Sequence, residues 1–178
     1  MRGLFHFIDQ ITGMIKILFV CLGNICRSPL AEAIFIDKVK KKGIAHQFES
    51  HSCGTANYHV GDSPDVRTIR NAEKNGVKIN HIGRQLCDED MEYYDFIFVM
   101  DKSNYSNVLR LKSARDKQDK IHMLRKFDMR GGEEVPDPYY GQEENFQEVF
   151  EILDRSIEGL IVFLEPQIRP KPELSDKM

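Results

Sequence analysis

The stretch "IKILFV" (15–20) is apolar but for one lysine, and it passes directly into "CLGNICRSP" (21–29). Such a run fits a strand buried on both faces, the kind found in a parallel sheet covered by helices. The next segment carries helix punctuation. In "SPLAEAIFIDKVKKKG" (28–43), Ser28 is placed to cap, Pro29 suits the first helical position, and Gly43 suits the stop. The same punctuation returns in "SPDVRTIRNAEKNG" (63–76), with Val66, Ile69 and Ala72 at helical spacing. "HQFESHSC" (46–53), "DFIFVM" (95–100) and "KIHML" (120–124) read as further strands, and "KSNYSNVLRL" (102–111) as a helix. A last helix is expected from near Glu143, with Phe146, Val149, Phe150, Leu153, Ile157, Leu160 and Ile161 as its buried stripe. Strands alternating with helices predict an α/β fold around a parallel sheet. Ligands of such sheets bind beyond the carboxyl ends of strands, where the strand order switches. Residues 21–29 stand at such a position.

Length and charge narrow the rest. A chain of 178 residues suits one domain. A net charge of −3 offers no broad electrostatic footprint for nucleic acid or membrane, so any phosphate chemistry has to come from a local site. The four cysteines, at 21, 26, 53 and 87, are too few and too irregular for a secreted disulfide framework and suit a reducing, cytoplasmic setting. The opening "MRGLFHFIDQITGM" is interrupted by His6 and Asp9 and lacks a small-residue cleavage site, so it does not read as a signal peptide. No apolar stretch approaches the roughly 20 residues that span a bilayer. The tail "PQIRPKPELSDKM" (166–178) is proline-broken and charged, and disorder is expected there.

The loop after the first strand has the ingredients of an anion pocket. Wrapping a tetrahedral dianion in backbone N–H groups needs residues that tolerate left-handed geometry, and Gly23 and Asn24 are such types. The helix after the loop contributes its amino-terminal amides and dipole. Arg27 can grip two oxygens with its planar fork. A cysteine at the base of such a pocket is favoured as thiolate, which makes Cys21 a candidate nucleophile towards bound phosphorus. Five residues separate Cys21 from Arg27, enough to circle one phosphate. No "GK[ST]" completes a nucleotide-binding loop. A leaving alkoxide or phenoxide also needs a proton, and Asp137 in "PDPYYG" lies between prolines that would hold an extended loop. It is the candidate general acid and later base, with Tyr139 and Tyr140 as aromatic walls.

"VCLGNICRSPLAEAIF" together with the later "DPYYG" closely resembles the low-molecular-weight protein tyrosine phosphatases, from about Ile15 to about Leu164. The resemblance implies a single-domain, three-layer fold whose four-stranded parallel sheet has the order 2-1-3-4 with helices on both faces. It implies a phosphatase domain over 15–165, with 1–14 outside the family pattern. It implies hydrolysis of phosphotyrosine and other aryl phosphates without metal or cofactor, on tyrosine-phosphorylated protein or peptide substrates. A monomer is expected, with a weak dimer as the alternative. Cys21 then matches the nucleophile, Arg27 the phosphate-binding arginine and Asp137 the acid. Leu22, Gly23, Asn24, Ile25, Cys26 and Ser28 complete the substrate loop, Ser28 steadying the thiolate. Ser52 and His81 match the supports of Asn24, while Tyr58, Tyr139 and Tyr140 match the rim. Ile25 resembles the phosphotyrosine-type loop, where a threonine would resemble the phosphoarginine-type one. The pair Cys21 and Cys26 matches one that can form a reversible disulfide in the family. Asp101, in "VMDKSNY", reads as a helix cap outside the site.

Two other classes stay open on sequence alone. Thioredoxin-coupled arsenate reductases resemble this family, but they need closely spaced extra thiols, and Cys53 and Cys87 are far apart. A non-catalytic phosphate-binding module, or a zinc site on Cys21 and Cys26, is the third; no Cys/His pair at suitable spacing completes four zinc ligands.

Overall fold

A computed structural model describes residues 13–168. The expectations for residues 1–12 and 169–178 lie outside the described residues. Strand β1 (Ile15–Cys21) pairs in parallel with β2 (Phe48–Gly54) on one side and with β3 (Phe96–Val99) on the other. Strand β4 (Ile121–Met123) closes the edge in parallel with β3, giving the order β2-β1-β3-β4. The sheet is the expected one, and its switch point lies beyond the ends of β1 and β3.

Period-two alternation sends β1 side chains to two separate cores. Ile17, Phe19 and Cys21 face α1 (Arg27–Lys41) and α5 (Glu143–Leu164). Leu18 and Val20 face the opposite layer, with Met91 of α3 (Asp88–Tyr93) and Val108 of α4 (Lys102–Val108). All of these residues are buried, which explains why β1 reads as a continuous apolar run. The predicted α5 stripe is buried at every one of its positions, and Ile152, Ser156 and Leu164 extend it.

Two helix starts differ from the sequence expectation, and one helix was not expected at all. Helix α1 begins at Arg27 with Cys26 in the capping position, so Ser28 and Pro29 lie inside the first turn. The loop has already wound into the helix, and the Ser28 hydroxyl is engaged by Cys21 and Asn24 instead of capping. Helix α2 (Val66–Lys74) starts after Asp65, not Ser63, because the Asp65 carboxylate accepts from Arg67 N at 2.9 Å. Its buried face is Thr68, Asn71 and Ala72, while Val66 is 63% exposed. Helix α3 had no counterpart in the sequence reading; its six residues, DEDMEY, bury one apolar side chain, Met91, which gives no periodic signal. Gly43 and Gly76 end α1 and α2 at φ of 73° and 79°, as glycine stops do. A single 3-10 turn, Glu165–Gln167, follows α5.

Candidate active site

The site grows from the carboxyl end of β1. Cys21 is 3% exposed. Its sulfur lies 3.0 Å from Ser28 Oγ and accepts the Asn24 backbone N–H at 3.2 Å. The first amides of α1 have no intrahelical acceptors, and the positive end of a 15-residue helix faces the same loop.

Asn24 is the described residue other than glycine with a positive φ, 58°, the left-handed geometry the loop requires. A buried network holds it there. Its Nδ2 donates to Ser28 Oγ at 2.9 Å and to Ser52 Oγ at 3.1 Å. Its Oδ1 accepts from Arg84 N at 2.9 Å and lies 2.8 Å from His81 Nε2. Since Oδ1 only accepts, the proton of His81 sits on Nε2. Ser52 in turn donates to Glu32 at 2.6 Å, and Glu32 lies 3.4 Å from the other His81 nitrogen. Every polar atom of the Asn24 amide is thus satisfied, so the strained loop is held by side chains from α1, β2 and the 81–84 segment.

Arg27 is 3% exposed and spends its guanidinium on three partners. Nη1 donates to Asp101 at 2.7 Å and to the Val135 carbonyl at 3.1 Å, and Nη2 donates to Asp137 at 2.9 Å. Burial disfavours its charge, but Cys21, Asp137 and Asp101 more than offset this and hold the arginine firmly protonated. Asp137 itself is 44% exposed, and its other oxygen accepts from Tyr139 N at 3.1 Å. The acid loop is fixed one step earlier, where Val135 N donates to Met100 O at 2.8 Å beyond β3.

The remaining predicted residues divide by direction. Leu22 and Gly23 lie on the open side of the loop, with Leu22 39% exposed. Ile25 and Cys26 turn inward and pack with Phe146 of α5, so their side chains back the loop. Burial pushes the Cys26 thiol up to about 12, and Cys21 and Cys26 are free thiols, not a disulfide. Tyr58 is exposed and precedes His59, whose ring lies over Gly23 and which is tied to Asp62 at 3.0 Å. Tyr139 meets Tyr140 edge on at 5.0 Å, and Tyr140 is 96% exposed.

Sequence reasoning missed four contributors. Asp101 does cap α4, accepting from Asn104 N at 2.7 Å, but its second oxygen anchors Arg27. Glu32 was invisible as a support, although it sits four residues after Ser28 and therefore on the same helix face. Arg84 supplies the backbone donor to Asn24 and grips Asp90 with both amino groups at 2.9 and 3.0 Å. Gly54, at the end of β2, is pressed so closely on the loop that an added Cβ would stand 2.7 Å from Leu22 O and 3.1 Å from Asn24 N. Among the described residues no cluster of three or more His, Cys, Asp or Glu is placed to hold a metal ion.

Residues 16–170 match the family model described as "Low molecular weight phosphotyrosine protein phosphatase". A protein of that name from Schizosaccharomyces pombe is 42% identical over 141 residues, covering 78% of this chain and 90% of the relative. One from Gallus gallus is 39% identical over 137 residues, covering 76% and 87%. The crystal structure of a protein tyrosine phosphatase from Entamoeba histolytica superimposes with a TM-score of 0.83 at 37% identity, covering 86% of this chain and 98% of that one.

Proposed function

Because the chain belongs to the low molecular weight phosphotyrosine protein phosphatase family, we propose that Cys21, Arg27 and Asp137 carry its hydrolysis of phosphotyrosine and other aryl phosphates. The observation that carries the assignment is the setting of Cys21. Its buried sulfur meets a loop amide and a hydroxyl, at a helix start closed by a buried arginine.

The Cys21 thiolate attacks phosphorus in line, forming the S–P bond as the P–O bond to the aryl group breaks. Protonated Asp137 gives its proton to the departing phenolate. A water then attacks the thiophosphate, Asp137 takes a proton from it, and the S–P bond breaks to release phosphate and the thiolate. Arg27 balances the charge that spreads over the phosphoryl oxygens. Asp101 and Val135 O fix one of its amino groups, so the other is the one that phosphate would contest with Asp137. As the dianion draws Arg27 away, the Asp137 carboxyl loses its cationic partner and gains a negative neighbour. The freed Asp137 oxygen is then placed to hand a proton to the leaving group.

The four cysteines are free thiols, which supports a reducing, cytoplasmic setting. Among the described residues no helix is long and apolar enough to cross a membrane. The working unit is taken as a monomer, and a stable dimer in sedimentation at assay concentration would contradict that.

The deciding experiment compares kcat/KM on matched phosphotyrosine, phosphoserine and phosphoarginine peptides. The aromatic rim predicts a strong preference for phosphotyrosine, and Cys21→Ser should abolish turnover with the fold intact. Equal rates on the three peptides, or normal turnover by Cys21→Ser, would contradict the assignment.

A further inference from the structure

Behind the acid loop lies a second cavity of about 230 Å³, formed where α2 meets the start of α5. Arg67, Arg70 and Asn71 line it from α2, and Gly141, Glu143 and Phe146 from the other side. Small-molecule and cofactor pockets run to about 300–1,000 Å³. This cavity is short of that and suits a single side chain.

Its cations are not all paired. Arg67 grips Asp65 through Nε and Nη2 at 3.0 and 2.7 Å, which leaves Nη1 unused. Lys74 is paired with Glu143. Arg70 is exposed and has no hydrogen-bond or ion-pair partner among the described residues. Arg70 acts on the Glu143 carboxylate only through space, helping Lys74 to hold it low, so the guanidinium's own hydrogen-bond donors stay open to an anionic side chain.

The cavity also adjoins the catalytic mouth. The Arg67 guanidinium lies 5.6 Å from the centre of the Tyr139 ring and 4.6 Å from that of Phe146. Tyr139 donates its backbone N–H to Asp137, and Asp65 N donates to Ile25 O of the loop at 2.9 Å. One aromatic ring therefore separates the acid loop from the cavity. Two or three residues of extended chain span roughly 7–10 Å, enough to cross it.

We propose that this cavity is a substrate subsite, in which Arg70, helped by Nη1 of Arg67, receives an aspartate or glutamate a few residues from the phosphotyrosine. The inference rests on the phosphatase assignment. Tyr139 then has two faces, one towards the phosphotyrosine ring and one under the arginine that opens the subsite.

The test is a set of phosphotyrosine peptides with glutamate or glutamine placed in turn at each position up to about three residues either side, assayed beside para-nitrophenyl phosphate. That small ester cannot reach the cavity and serves as reference. The wild-type protein should favour glutamate at one or two positions by about five- to tenfold in kcat/KM, mainly through KM, as one charge-assisted hydrogen bond implies. Raised salt should shrink the preference. Arg70→Ala should bring it within about twofold of unity, and Arg70→Glu should invert it, relative to each variant's own rate on the reference ester. An undiminished glutamate preference in Arg70→Ala, or no such preference at any position in the wild type, would overturn the subsite while leaving the phosphatase assignment standing. Failure of the wild type to turn over the reference ester and every peptide would overturn both.

Discussion

Arg27 is the residue on which the rest of the site converges, because a charge buried to 3% exposure has to be surrounded by partners that hold it charged. Cys21, Asp137 and Asp101 do this, and Asp101 does it while capping α4. Asp101→Asn separates the two tasks. Asparagine caps a helix as well as aspartate, but it removes the negative charge facing Arg27. The expected outcome is a KM for aryl phosphates raised by about tenfold, the scale of one charge-assisted hydrogen bond, together with a lower melting temperature, because the buried arginine loses a charged partner. An unchanged KM would mean that Asp101 acts only through the helix. Cys26 provides a second prediction at this scale. With its thiol pushed up to about 12 by burial, it is almost wholly protonated at neutral pH. Iodoacetamide at neutral pH should therefore label Cys21 and spare Cys26, as peptide mapping would show. Cys21, Asn24 and Arg27 were legible in the sequence because their chemistry is compressed into one loop. Asp101 was hidden because its cap role already explained it. Arg84 and Gly54 gave no local sign, since each meets the loop across a long sequence separation, and Glu32 reaches it only through Ser52 and His81.

Among the elements, the carboxyl end of β2 has a tighter hold on the loop than its residues suggest. Gly54 N donates to Arg84 O, Leu86 N donates back to Gly54 O, and Thr55 N donates to Cys21 O. The strand, the loop and the 84–86 segment thus form one hydrogen-bonded layer with no room for a side chain at position 54. Gly54→Ala must displace loop backbone, because the atoms it would strike are backbone atoms. The expected result is roughly a 10–100-fold fall in kcat/KM, as for displacements near 1 Å in other active sites. Unchanged kinetics would show that the loop tolerates the shift. Strands and long helices were readable because burial imposes their periodicity. The starts of α1 and α2 were not, because a serine before a proline caps only where its hydroxyl is free and no later side chain caps first. Cys21, Asn24 and the Cys53 carbonyl all approach Ser28, the last at 3.3 Å.

In the whole molecule, the sheet separates two apolar layers, and its open edge at β4 carries an ionisable group inside an aromatic setting. The His122 ring lies 5.7 Å from that of Phe98 and 5.9 Å from that of Phe96, and its Nε2 is buried without a partner. Burial pushes its pKa below 6.5, with Lys126 acting in the same direction and Asp119 against it. The folded protein therefore binds fewer protons than the unfolded chain as pH falls below that value. The stability from the neutral ring is complete above about pH 6.5 and is lost as pH drops through the folded pKa. Melting temperature should fall between about pH 7 and about pH 5, and His122→Phe should flatten that slope; parallel curves would assign the acid sensitivity elsewhere. The central claim concerns chemistry at one sulfur, and trapping its intermediate tests it most directly. Asp137→Ala lacks both the acid and the base, but an ester of a good leaving group needs only the base, in the second step. Rapid-quench mass spectrometry of Asp137→Ala with para-nitrophenyl phosphate should find one phosphoryl group, on Cys21. A phosphoryl group on any other residue, or product formed in a single turnover with no phosphoenzyme, would contradict the account.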